Sequence, residues 1–295
     1  MRNPLTLVAA AAIGMIAVLV PTPAGAITNN YAEDFEHPFV GLIVLYDEAG
    51  DFIHRCSGSL LTPTVFLTAG HCTDGATSAR VYFQQDAGAN YNPETQLDPT
   101  TGYPETCANN TLGTLCATSD ELYDYGFDDF AGYPNTRDVG IVILDQPIQL
   151  AEYGQLARPG ALDGQDTGPQ RRRLIFTSSG YGLTESSPTH VTSFRERLMA
   201  TSTLVNTRSA NNDGYNLQLN GNGSGRGGTC SGDSGGPLLY GDTPSNAILA
   251  VTSFGLNEWC RGTDFAYRTD RQEIIEWIAS VVAPREFSRI QFVTI

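Results

Sequence analysis

The 295-residue chain carries 32 acidic residues against 17 basic ones, a formal net charge of −15, and every basic residue is an arginine. So acidic a balance argues against nucleic acid or an anionic membrane surface as partner and favours solubility. Beyond the N-terminal segment no stretch approaches the ~18 apolar residues that a membrane span requires.

In residues 1–26, Arg2 precedes an apolar run from Leu5 to Val20, then Pro21-Thr22-Pro23 and Ala24-Gly25-Ala26. This is the pattern of a secretory signal peptide cut after Ala26, with an uncleaved anchor as the alternative, and it predicts a secreted protein with no membrane contact once the signal is removed. Phe39–Leu45 is the first clear strand, and short apolar runs then recur between Gly/Pro/Asn/Asp clusters, which predicts an all-β fold. Val65-Phe66-Leu67 reads as a buried strand delivering Thr68-Ala69-Gly70-His71-Cys72 at its end. Of the four histidines, His37 precedes a proline, His54 lies in a polar turn and His190 follows Ser-Ser-Pro-Thr, so these three are expected at the surface. His71, flanked by glycine and cysteine, is the candidate general base.

The segment from Gln84 to Asn135 is acidic and aromatic, with Cys107, Cys116, Asp120, Glu121, Asp124, Asp128 and Asp129. It reads as a solvated acidic loop. A structural calcium site is the alternative, since hard cations want several oxygens, but no D-x-D-x-D-G spacing is present. Asp138 then opens the strand Val139–Leu144; a carboxylate at the buried mouth of a strand needs a partner, whereas Asp145 closes the strand as a turn residue. Ala151–Gly168 is the expected crossover to a second half, and Arg171-Arg172-Arg173 reads as a solvated loop open to nicking. Gly223–Gly228 satisfies GxGxxG but lacks the strand and helix of a dinucleotide site. Asn109-Asn110-Thr111 and Asn222-Gly223-Ser224 are formal glycosylation sequons.

Gly228-Thr229-Cys230-Ser231-Gly232-Asp233-Ser234-Gly235-Gly236-Pro237 is the most informative segment. A serine hydroxyl attacks only when a base takes its proton, and the surrounding glycines let the amides of Gly232 and Ser234 converge on a developing oxyanion. Near the C-terminus, Asp270 and Glu273 predict a capping box for a helix whose apolar face is Ile274, Ile278, Val281 and Val282. Six cysteines in an exported chain point to disulfides; a zinc site is disfavoured because no CxxC pair exists.

The order His71, Asp138, Ser234, in TAGHC, RDVGIVIL and GDSGGP, resembles the trypsin-like (chymotrypsin-fold) serine endopeptidases over about residues 27 to 283. Cys56–Leu61, Gly180-Tyr181-Gly182 and Thr252-Ser253-Phe254-Gly255 match further family segments. The resemblance implies two packed six-stranded antiparallel Greek-key barrels, 27–160 and 161–295, the second ending in the α-helix and a tail. It implies a monomer that hydrolyses protein or peptide substrates without metal or cofactor. Ser234 would be nucleophile, His71 general base then acid, Asp138 the orienting carboxylate, with Gly232 and Ser234 as oxyanion hole. A catalytically idle relative acting as a binding protein is the alternative, against which the intact triad counts. The family pairing would join Cys56 to Cys72 and Cys230 to Cys260, leaving Cys107 and Cys116 to each other. The stretch between His71 and Asp138 is longer than the family's usual spacing, so 84–135 holds an insertion.

The resemblance also marks Gly228, Ser253, Gly255 and Asp264 as substrate-binding positions. Gly228 stands where trypsins carry the aspartate that holds Arg or Lys. Aligning on Arg268 puts Asp264 inside the pocket, while aligning on Tyr267 puts Phe265 there. A broad or apolar-to-small preference is favoured over a strict basic one. Finally, the family's free N-terminus pairs with the aspartate before the nucleophile, here Ile27 with Asp233. Signal cleavage itself would then yield the active form, although Ile27-Thr28-Asn29-Asn30 departs from I-V-x-G.

Overall fold

The structure is a computed structural model; it describes residues 27–99, 101–104, 106, 107, 115–164, 174–187, 190–193, 195–221, 225–242 and 244–295, without the side chains of 185, 187 and 190–193. The leader, the Arg171–Arg173 run, both sequons and the side chain of His190 lie outside the described residues.

The first antiparallel sheet runs in the order Cys116–Ser119, Ser78–Tyr82, Val40–Tyr46, Phe52–Leu60, Val65–Thr68, Gly140–Ile143, Glu121–Asp124. Its two edge strands are consecutive in sequence, separated only by Asp120, so one bent segment pairs at both ends and closes the sheet into a barrel. Counted so, the seven strands make six staves. Val40–Leu45 is buried on both faces, one into the barrel and one against neighbouring elements, which is why it reads as an unbroken apolar run rather than an alternating one.

The second sheet closes similarly through Ile175–Gly180, Leu198–Asn206, Asn216–Asn220, Thr263–Arg268, Ala247–Gly255 and Pro237–Tyr240, each antiparallel to the next and the last to the first. Edge strands are added to it: Ala32–Glu33 on Leu198–Asn206, and Gln155–Ala157 parallel to Ala247–Gly255 and to Phe292–Val293. The expected crossover therefore contains a strand, held because its backbone groups pair with this sheet.

The C-terminal helix Gln272–Val281 buries Ile274, Ile275 and Ile278 in the same cluster as the first barrel's core, and Trp277 meets Tyr125 at 5.3 Å between ring centroids. The expected capping box is absent. Arg271 is the N-cap, without a side-chain cap, because Asp270 is taken by buried Arg268 at 2.8 Å and by the amide of Leu162 at 3.0 Å. Glu273 pairs with Arg271 instead. A buried guanidinium outcompetes a local cap, since leaving it unpaired costs more than a cap provides.

Two histidines expected at the surface are not there. His37 is buried with its Nδ1 2.9 Å from Asp34 Oδ2, and His54, half-buried in the strand Phe52–Leu60, donates through Nε2 to the carbonyl of Cys72 at 2.9 Å. Among the described residues no helix is long and apolar enough to cross a membrane.

Candidate active site

Val65–Thr68 delivers the short helix Gly70–Thr73, on which His71 stands, and the turn at Arg137 (φ 51°) delivers Asp138 just before the strand Gly140–Ile143. These strands are neighbours, Thr68 opposite Gly140, so the two side chains leave the same barrel end. Asp138 is fully buried and accepts from the His71 amide at 2.8 Å while its carboxylate lies 2.9 and 3.0 Å from His71 Nδ1. Ser253, from the second barrel, donates its hydroxyl to Asp138 Oδ2. Sequence reading placed Ser253 beside the substrate backbone and missed this bond, which only tertiary structure creates. Burial alone would depress the His71 imidazole pKa; the charge of Asp138 and its hydrogen bond outweigh that and hold it above the ordinary 6.5.

Ser234 comes from the second barrel on the turn between Cys230 and Gly236, where Gly232 and Gly235 adopt φ of 99° and 77°. A Cβ on Gly235 would collide with Thr68 Oγ1 and Ser57 O, so only glycine lets this turn sit against the histidine strand. Ser57 fastens the two barrels there: its amide donates to Ser234 O and its hydroxyl to Gly232 O, each at 2.8 Å. The Cys56–Cys72 bond ties that strand to the helix of His71, Cys230–Cys260 closes the other wall, and Cys107–Cys116 staples the insertion. Neither the Gly232 nor the Ser234 amide donates to any group among the described residues. The Ser234 hydroxyl makes no hydrogen bond to His71.

Ser234 lines a cavity of about 360 Å³ together with Thr229, Ser253, Phe254, Gly255 and Leu256. Asp264 is buried behind it. Its Oδ2 accepts from the Thr229 amide at 2.8 Å and lies 2.6 Å from where a Gly228 Cβ would be, and Asp264 pairs in register with Gly255. Burial pushes the Asp264 carboxyl up to about 6 despite the Thr229 bonds. Phe265 points to the opposite face of the strand and stacks on Phe254 at 4.5 Å, so the two residues have separate surroundings.

The insertion folds back over this site. Phe127 lies 5.9 Å from the His71 ring, Phe130 5.2 Å from Phe127, and Phe130 and Tyr133 are 5.5 and 5.9 Å from Phe254, making an aromatic wall that sequence reading did not assign. Among its acids, Asp124 accepts from the amides of Gly126 and Phe127. Among the described residues the one metal-like grouping is Cys56, His71 and Cys72, whose sulfurs form the disulfide.

Asp233 is fully buried; its carboxylate accepts from the amides of Cys230 and Gly182, both at 2.9 Å. Burial dominates these bonds, and with the nearby Asp264 charge the pKa is pushed up to about 7. Thr28 pairs its backbone with Gly228 in both directions at 2.9 Å, and Ile27, buried with Leu198 and Ala200, takes φ 68°. No ion pair joins Ile27 to Asp233 in this chain, where Ile27 is an internal residue.

The family model described as trypsin matches residues 30–278. A chymotrypsin of Phaedon cochleariae is 28% identical over 257 residues, covering 84% of this chain and 80% of the relative. A brachyurin of Leptuca pugilator is 26% identical, covering 71% of this chain and 80% of its own length. Among solved structures, HL collagenase superposes with a TM-score of 0.59 at 16% identity, over 87% of this chain and 96% of that one.

Proposed function

The chain belongs to the trypsin family, and from that membership together with the geometry at Ser234 we propose that it is a secreted serine endopeptidase. Ser234 Oγ attacks the scissile carbonyl carbon as His71 Nε2 takes its proton. The charge arriving on the carbonyl oxygen is met by the amides of Gly232 and Ser234, and His71 then gives the proton to the leaving amine. Water repeats the sequence on the acyl-enzyme and frees Ser234. Asp138, by accepting from Nδ1–H, fixes that tautomer and stabilises the imidazolium. The observation that carries the reading is a bonded Asp138–His71 pair facing a turn whose Gly232 and Ser234 amides are unengaged.

A fluorophosphonate probe is expected to label the protein and to fail on Ser234→Ala. An unlabelled but folded wild type would mean an idle homologue used as a binding surface.

For the residue preceding the cut bond, the carboxyl of Asp264 behind an open, glycine-walled cavity supports a broad preference that admits basic side chains. Cleavage almost solely after Arg and Lys, abolished in Asp264→Asn, would replace that reading with a strict one. The buried Asp233, its carboxyl pushed up to about 7, and the Thr28–Gly228 pairing support activation by a free Ile27 ammonium. Full activity in a form with extra residues ahead of Ile27 would sink it.

A further inference from the structure

Arg55, in the strand Phe52–Leu60, takes no part in the chemistry described above, yet it stands beside it. It lies two residues before Ser57, and residues two apart share one face of a strand, so both side chains leave toward the nucleophile turn. Ser57 is bonded there to the carbonyls of Ser234 and Gly232. Arg55 Nε lies 3.4 Å from where a Cβ on Gly232 would stand, beside the residue whose amide is aimed at the oxyanion. Its guanidinium carbon is 5.8 Å from the ring centroid of Tyr103, a buried residue of the insertion. Arg55 is itself half-buried, so its head is held between the insertion and the turn rather than left to sweep the surface.

The cavity shows which side of the cut bond Arg55 serves. The cavity at Ser234 is walled by Thr229–Ser231 and Thr252–Glu258, and Arg55 is not among its lining residues. With the side chain before the cut in that cavity and the carbonyl on the Gly232 and Ser234 amides, the leaving segment runs on past Gly232. There it meets Arg55 and the neighbouring Cys56–Cys72 bond. An extended residue spans about 3.3 Å, so the first two residues after the cut come within reach of an arginine side chain. A guanidinium fork matches a carboxylate with two charge-assisted bonds, and an aromatic face against it limits the freedom lost in making them. The setting sharpens the effect, because a chain of net charge −15 repels acidic peptides elsewhere. Asp233, which also feels the Arg55 charge, is buried behind the turn and closed to substrate.

We propose that Arg55 selects substrates carrying an acidic side chain at the first or second residue after the cut bond. The proposal rests on the proteolytic reading and narrows it to a substrate class.

The test uses internally quenched peptides identical before the cut, with Glu, Gln or Lys at the first or the second residue after it. The bond cut is verified by mass spectrometry. In the wild type kcat/KM at one of these positions should favour Glu over Gln about tenfold, the scale of a bond to a charged group, with Lys poorest. Glu moved to the fourth residue should confer no advantage. Arg55→Gln should erase the preference, Arg55→Glu should turn it toward Lys, and Arg55→Lys should keep the order with a smaller ratio, since an ammonium lacks the fork. Any effect of Arg55 on Asp233 or on the oxyanion acts on every peptide alike and cancels in these ratios. Equal cleavage of the Glu and Gln peptides, or a Glu preference that survives Arg55→Gln, would overturn the proposal. A protein labelled by the fluorophosphonate probe but indifferent to Glu faults this inference alone. One that is neither labelled nor cleaves any peptide faults the proteolytic reading and this inference with it.

Discussion

At the scale of single residues, the site is set by what surrounds two carboxyls. Asp138 lies within hydrogen-bond distance of His71 Nδ1 and accepts from Ser253, and its charge raises the imidazole pKa above 6.5, so the base is neutral only above that raised value. Turnover should therefore rise with pH through a limb lying above 6.5. Asp138→Asn should lower kcat by about 10⁴, through the wrong tautomer. Ser253→Ala removes one donor to a charged acceptor and should cost about tenfold in kcat/KM, with the fold intact by circular dichroism. Asp264 is the opposite case, a carboxyl raised to about 6 by burial. Below that pH it is neutral and above it charged. The ratio of kcat/KM for an Arg substrate to that for a Leu substrate should thus climb from pH 5 to 8. His71 affects both substrates alike and cancels. A flat ratio would remove Asp264 from substrate selection.

At the scale of elements, the nucleophile turn shows how backbone shape and packing are one requirement. Gly235 needs φ 77° and has no room for a Cβ against Thr68 and Ser57, which belong to the other barrel. Gly235→Ala should cost about 3 kcal/mol or more in urea unfolding and abolish turnover, since relieving the clash moves Ser234 away from His71. The glycines, the histidine strand and the aspartate strand were all legible in sequence because local chemistry dictates each of them. What was not legible depends on remote partners. Asp270 has every local mark of a cap, yet Arg268 claims it; His37 sits in a polar N-terminal stretch, yet Asp34 and the second barrel's Ser179 bury it, the latter donating to Asp34 at 2.5 Å. The choice between Asp264 and Phe265 hung on a one-residue register, which in a strand exchanges the two faces. The insertion's aromatic wall was hidden for the same reason: nothing local announces that Phe127 and Phe130 return to the histidine.

At the scale of the whole molecule, the N-terminal segment binds the two barrels together. Arg197, at the start of a second-barrel strand, donates to the carbonyls of Asp34, Val40 and Phe83. Arg197→Met should destabilise by about 3 kcal/mol, because several buried acceptors lose their donor at once. Four residues beyond Thr28–Gly228, Ala32–Glu33 joins the same sheet, so the chain from Ile27 onward is already threaded toward Asp233. Asp233 binds its proton more tightly folded, with a pKa of about 7, than at the ordinary 3.8. Its contribution therefore opposes folding increasingly as pH rises from 3.8 toward 7 and fully above that. A free Ile27 ammonium placed beside it would remove the penalty, and the strained φ of Ile27 would be released on cleavage. Two Ser234→Ala proteins isolate the effect, one beginning at Ile27 and one extended ahead of it. Asp264 titrates in both and drops out of the comparison. The extended form should lose stability between pH 5 and pH 8, and the form beginning at Ile27 should exceed it by about 4 kcal/mol at pH 8 but by less than half of that at pH 5. Parallel stability curves for the two would mean that Asp233 finds its counter-charge elsewhere.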